Sequence, residues 1–155
     1  MDRIPFTPQG FQNLKKELER LKRVERPSNI KAIEEARAHG DLSENAEYAA
    51  AKDRQGFIEG RISELEFKLN SADVIDPKNL PKDRAVFGST VVLENVDTGE
   101  GVEYQLVGPE ESDIGKGRIS VSSPLGRAML GKKPDDEITV QAPAGKRVYE
   151  VVDIR

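Results

Sequence analysis

Gly40-Asp41-Leu42-Ser43-Glu44-Asn45 interrupts two helical patterns of about thirty residues each, and the fold of the N-terminal half follows from it. Upstream, Thr7 suits a helix N-cap and Pro8 the first helical position, where no amide donor is needed. Phe11, Leu14, Leu18 and Leu21 then recur at coiled-coil spacing. Pro27 interrupts the stripe, which resumes out of register at Ile30 and Ile33, so a kink or short break is expected there. His39 and Gly40 close this helix, a cation for the C-terminal dipole followed by a residue suited to a left-handed cap. Downstream, a second helix is expected from near Asp41 to about Ala72, with Ile58, Ile62, Leu65, Leu69 and Ala72 forming a matching seam. Two such seams joined by a short tip predict an antiparallel coiled coil, each arm about 40–45 Å long. Ala46, Ala49, Ala50 and Ala51 would let the helices approach closely near the tip.

Two carboxylates, Asp41 and Glu44, therefore stand at the end of an arm. One reading makes them a capping box, with Asp41 as N-cap and Glu44 reaching back from the third helical position. The other makes them ligands of a hard divalent cation such as Mg²⁺, which takes a few carboxylate oxygens and fills its shell with water and phosphate. Two carboxylates alone hold Mg²⁺ poorly, so a partner would have to complete such a site. His39 is a further ligand or simply a dipole partner.

Beyond the coil the period changes. Residues 76–84 carry two prolines and read as a linker between a coiled-coil hairpin at 1–75 and a second domain at 85–155. In that domain, segments 90–94, 103–107, 119–122, 138–141 and 148–152 are β-branched and bounded by turn residues. Asp97-Thr98-Gly99 and Ala144-Gly145-Lys146 suit hairpin connections. One short helix fits at 124–130, capped by Ser123, entered through Pro124 and ended by Gly131. The fold class is α+β: a coiled coil followed by a small antiparallel β domain with one helix against it.

Composition narrows the function. The 155 residues include no cysteine, which removes disulfides and thiolate metal sites. No apolar run approaches the roughly 18 residues of a membrane span, and Met1-Asp2-Arg3-Ile4-Pro5-Phe6 lacks a signal-peptide core, so a cytoplasmic protein with no membrane partner is expected. The net charge of −4 argues against a DNA binder resting on a strongly basic face. Residues 1–72 balance 13 basic against 13 acidic side chains, and the deficit lies in the second half. The run Lys15, Lys16, Arg20, Lys22, Arg23 and Arg26 reads as a solvated helix face interleaved with glutamates, or as a nucleic-acid surface if clustered on one side.

Three stretches carry a family resemblance. Ala36-Arg-Ala-His-Gly-Asp-Leu-Ser-Glu-Asn-Ala-Glu-Tyr48, with the following Ala-Ala-Ala-Lys-Asp-Arg-Gln-Gly56, resembles the coiled-coil tip of the bacterial Gre transcript-cleavage factors. Ile4-Pro-Phe-Thr-Pro-Gln-Gly10 and Ile119-Ser-Val-Ser-Ser-Pro-Leu-Gly126 are similar to other parts of the same family. The resemblance implies a C-terminal domain of FKBP-like fold and a coil inserted through the secondary channel of RNA polymerase. There such factors stimulate the polymerase's own cleavage of backtracked RNA, in contact with the nascent RNA 3′ end. It further implies that Asp41 and Glu44 act at the catalytic centre by sharing a Mg²⁺ with the polymerase, with no cofactor of the chain's own. By the same resemblance Arg37 and Lys52 contact RNA or the channel, Ser122, Ser123 and Pro124 dock on the polymerase, and the monomeric chain is not itself an enzyme. The rival readings are a Gre-like inhibitor occupying the same channel, an FKBP-like prolyl isomerase or chaperone module, and a structural coiled-coil adaptor. The isomerase reading is weakened because only Phe87, Tyr104 and Tyr149 are aromatic after residue 72.

Overall fold

The computed structural model describes residues 3–41, 45–78 and 80–155. They fall into two compact units, Phe11–Ala72 and a second made of Arg3–Gly10 with Asp73–Arg155.

The first unit is the helical hairpin. Helices α1 (Pro8–Arg20) and α2 (Arg26–Arg37) are joined by a π-helical turn over Leu21–Glu25, and α3 (Ala46–Asn70) returns. The helix does not break at Pro27. The helix widens just ahead of the proline, and the Arg26 N–H donates to Leu21 O, five residues back. A proline ring clashes with the carbonyl four residues before it, and a wider turn relieves that clash without ending the helix. The extra residue also shifts the apolar stripe by one. The buried positions after the turn are Asn29, Ile33 and Ala36, while Ile30, expected in the stripe, is 45% exposed. On α3 the seam is Ala51, Ile58, Ile62 and Leu65. Of the alanines near the tip only Ala51 is buried; Ala46, Ala49 and Ala50 face outward, so their value there is helix propensity rather than close approach.

Cross-helix pairs confirm the antiparallel register. Glu17 pairs with Arg61 (2.7 Å), Arg26 with Glu59 (2.8 Å), and the Asn29 amide donates to Ala51 O (3.1 Å). The Oδ1 of Asn29 is the one buried side-chain polar atom without a partner among the described residues. A polar residue in an apolar seam gives up stability for a defined register. The surface pairs predict an acid limb. Arg26 holds the Glu59 carboxyl below the ordinary glutamate range, and Lys68 does the same for Glu64. A carboxyl depressed in the folded state adds stability above its unfolded value and loses it as pH falls through the folded one. Melting followed by helical circular dichroism should therefore be flat around neutrality and fall below about pH 4.5, with a shallower fall in Glu59→Gln.

In the second unit, β1 (Ile4–Phe6) and β2 (Ala72–Val74) form a two-stranded sheet. Strands β3 (Thr90–Asn95), β4 (Gly101–Val107), β5 (Arg118–Ser120), β6 (Glu137–Ala142) and β7 (Gly145–Ile154) form a five-stranded sheet ordered β5-β4-β3-β7-β6. Helix α4 (Pro124–Met129) packs against it, and Val91, Leu93, Leu106, Met129 and Val151 are fully buried in the core. The sheet is antiparallel as expected except at its edge, where β5 runs parallel to β4. Residues 108–117 make two 3₁₀ turns, Pro109–Glu111 and Ile114–Lys116, instead of a tight hairpin, and a longer connection lets the chain return in the same direction. The β3–β4 turn has Gly99 at φ +74° and Asn95 Oδ1 accepting from the Asp97 and Thr98 amides. Ala142 pairs with Gly145 across the β6–β7 turn.

Thr7 caps α1 as expected, its Oγ1 accepting from the Gly10 N–H at 3.1 Å. The buried Glu111 carboxylate completes the cap, accepting from the Thr7 N–H at 2.9 Å and from the Thr7 hydroxyl. Arg118 approaches the same carboxylate at 3.8 Å. This partnership accounts for residues 3–10 packing with the second unit, and no local sequence pattern announces it.

Candidate functional site

The tip is built from the ends of α2 and α3. Past Arg37 the helix closes with Ala38 N–H donating to Glu34 O and Gly40 N–H to Arg37 O, both at 3.2 Å. Gly40 sits at φ +99°, a conformation few other residues adopt. The second helix does not begin near Asp41, and Asp41 is not its cap. The cap is Asn45, whose Oδ1 accepts from the Tyr48 N–H at 3.0 Å. Its Nδ2 donates to Ala36 O at 2.7 Å, so one amide spans both helix ends. Asp41 is exposed and lies four residues before that cap. Glu44 falls outside the described residues. His39 Nε2 stands 3.7 Å from Glu47 Oε2 in the first turn of α3. Arg37 ends α2 and is exposed. Lys52 is also exposed, about 10 Å further along α3 than Asn45, and donates to Gln55 Oε1 at 2.8 Å.

Asn45 is the residue sequence reasoning missed. Its signal was present, since asparagine is among the strongest N-caps and directly precedes the helical run. The acidic pair made the more obvious capping box and concealed it.

The second cluster lies at the entry to α4. Ser120 Oγ and Ser122 Oγ are 2.7 Å apart, and Ser122 N–H donates to Ser120 Oγ at 3.1 Å. Ser123 Oγ donates to Ser120 O at 2.7 Å and accepts from Gly126 N–H at 3.0 Å, the cap expected from sequence. These bonds fix a tight loop that leaves Ser122 and Pro124 exposed. The tip belongs to the first unit and this loop to the second.

Residues 4–74 match the family model described as "Transcription elongation factor, N-terminal", and residues 80–155 match "Transcription elongation factor, GreA/GreB, C-term". The chain belongs to the GreA/GreB family. A protein of Syntrophus aciditrophicus named Transcription elongation factor GreA is 57% identical, over 99% of this chain and 96% of its own. Its namesake in Ralstonia nicotianae is 58% identical over 97% and 96%, and that of Neisseria meningitidis serogroup A is 55% identical over 100% and 99%. GreA/GreB-type similarity thus runs through both units and includes the tip and the serine loop.

Within this family member the isomerase alternative finds little footing. Tyr104 and Tyr149 border a depression of about 360 Å³ whose other walls include Asn95, Thr98, Glu100 and Arg147. A proline-binding pocket needs an apolar floor, whereas here Tyr149 is packed into the core and Val102 is the one aliphatic side chain among mostly polar or charged walls. No helix among the described residues is long and apolar enough to cross a membrane.

Proposed function

We propose that this chain is a transcription elongation factor that inserts its coiled coil into the secondary channel of bacterial RNA polymerase and stimulates cleavage of backtracked nascent RNA, rescuing arrested complexes. The observation that carries the reading is the tip. In a chain 57% identical to a protein named Transcription elongation factor GreA, Asp41 stands exposed just past the end of α2, and the cap of α3 is Asn45 rather than Asp41. Asp41 and Glu44 would then hold a Mg²⁺ shared with the polymerase, which at a phosphodiester supplies charge neutralisation and an activated water. The donor set fits this division. Among the described residues no three acidic or imidazole side chains converge on a metal position, and one or two carboxylates leave the rest of an octahedral shell to water and phosphate.

On this reading the chain is an accessory factor rather than an enzyme, acting as a cytoplasmic monomer at the nascent RNA 3′ end. Arg37 and Lys52, on the surface of the two helices beside the tip, face RNA phosphates or the channel wall. Ser122, Ser123 and Pro124 dock the C-terminal FKBP-like domain on the polymerase, and residues 76–84 link it to the coil. The test is a stalled polymerase complex with labelled RNA, incubated with and without the protein. Accelerated release of a 3′ fragment supports the proposal. Binding with slowed cleavage would instead assign the chain to inhibitors of the same channel, and no binding would remove the polymerase as partner.

A further inference from the structure

We infer that Asn45 is a positioning residue for Asp41 at the tip, acting through its amide bridge from the end of α2 to the start of α3. The inference rests on the proposed role of Asp41 and Glu44. The bridge has two halves with different chemistry. Oδ1 accepts from the Tyr48 N–H, the ordinary work of an N-cap, whereas Nδ2 donates to Ala36 O at 2.7 Å, a bond an N-cap does not need. Ala36 is 2% exposed and sits in the seam, so its carbonyl is a fixed anchor. The chain leaves that anchor, passes Gly40 at φ +99° and Asp41, and returns to it at Asn45. The amide therefore ties the start of α3 to the end of α2, and Asp41 leaves the α2 end just beyond that tie.

Only an amide of this length supplies both halves. Aspartate caps a helix as well as asparagine and its charge suits the helix dipole, yet it has no donor for Ala36 O. Serine also caps but is too short to reach both groups. Asn45→Asp and Asn45→Ser thus keep the helix start and cut the bridge, which separates positioning from stability. A misplaced supporting group of this kind costs about 10–100-fold in activity.

The experiment compares wild type, Asn45→Asp, Asn45→Ser and Asp41→Asn in full-length protein. Cleavage of a stalled complex is measured across factor concentration, and amide hydrogen exchange is measured on the free protein. Both Asn45 variants are expected to lower the maximal cleavage rate about 10-fold or more, with the half-saturating concentration unchanged within about 2-fold. Exchange at residues 38–41 should quicken in both, while Tyr48 stays protected. Full cleavage by both Asn45 variants alongside an inactive Asp41→Asn overturns the inference and leaves the tip reading intact. Loss of Tyr48 protection in both would show a cap and nothing more, which also overturns it. Full activity of Asp41→Asn defeats the carboxylate reading itself, a separate outcome from either of these.

Discussion

Asp41→Asn is expected to reduce stimulated RNA cleavage about 100-fold or more while leaving the melting temperature within about 2 °C of wild type. The pairing of those two results is what the structure contributes. Were Asp41 the cap of α3, replacement by the equally good cap asparagine would preserve both fold and function, and alanine would cost about 0.5–2 kcal/mol. With Asn45 as the cap, Asp41 does not cap α3, and asparagine at this position keeps the shape of the side chain while changing its chemistry. A single oxygen replaced by an amide nitrogen removes the charge a hard cation requires and leaves the shape almost unchanged. Raising Mg²⁺ should therefore restore part of the cleavage by mass action, because the weakened site fills only at higher concentration. An active Asp41→Asn protein would show that the tip works by sterics or water positioning.

Gly126→Ala should be among the most damaging methyl groups in the second unit. A Cβ at this position would stand 1.9 Å from Ser120 O, and that carbonyl already accepts from Ser123 Oγ. Neither partner has room to give, because Gly126 is buried in α4 and Ser120 ends β5. Overpacking of this kind typically costs about 1–3 kcal/mol, and a clash with fixed backbone belongs at the upper end. Urea titration should show that loss. At temperatures where the variant remains folded, it should compete poorly with wild type for the polymerase, because the loop carrying Ser122, Ser123 and Pro124 can no longer close. Unchanged urea stability would mean that the α4 entry yields more easily than its hydrogen bonds indicate. Normal competition by a destabilised variant would separate the loop from docking.

The parts of this fold that were legible in the sequence are those set by local chemistry. The Leu65 seam, the Thr7 and Ser123 caps, the left-handed glycines at 40, 99 and 131, and the five strands of the main sheet all follow from patterns within a few residues. What escaped depends on partners far away or on competition between two good signals. The three-residue strands β1 and β2 are too short to show alternation and exist by pairing with each other. The burial of Glu111 depends on Thr7, 104 residues away in the chain, which supplies its hydrogen bonds. At the site, one reading gave Asp41 the capping role that belongs to Asn45. Pro27 was rightly seen as a disturbance, yet a sequence does not say whether a helix breaks or widens.

That widening has a consequence for where the arm points its far end. Each residue of an α-helix advances the azimuth by about 100°, so an odd residue absorbed at Leu21–Glu25 acts as a phase corrector between the root of the arm and its distal half. Without it, the stripe continuing from Leu14 would bring Ser28, Ala32 and Glu35 against α3 in place of Asn29, Ile33 and Ala36. The direction in which Asp41 is presented is thus dialled by the geometry of one turn some twenty positions away. Returning that turn to α-helical geometry with every residue kept would rotate the distal half of α2, and the carboxylate with it, by one residue's step without altering a single side chain at the tip.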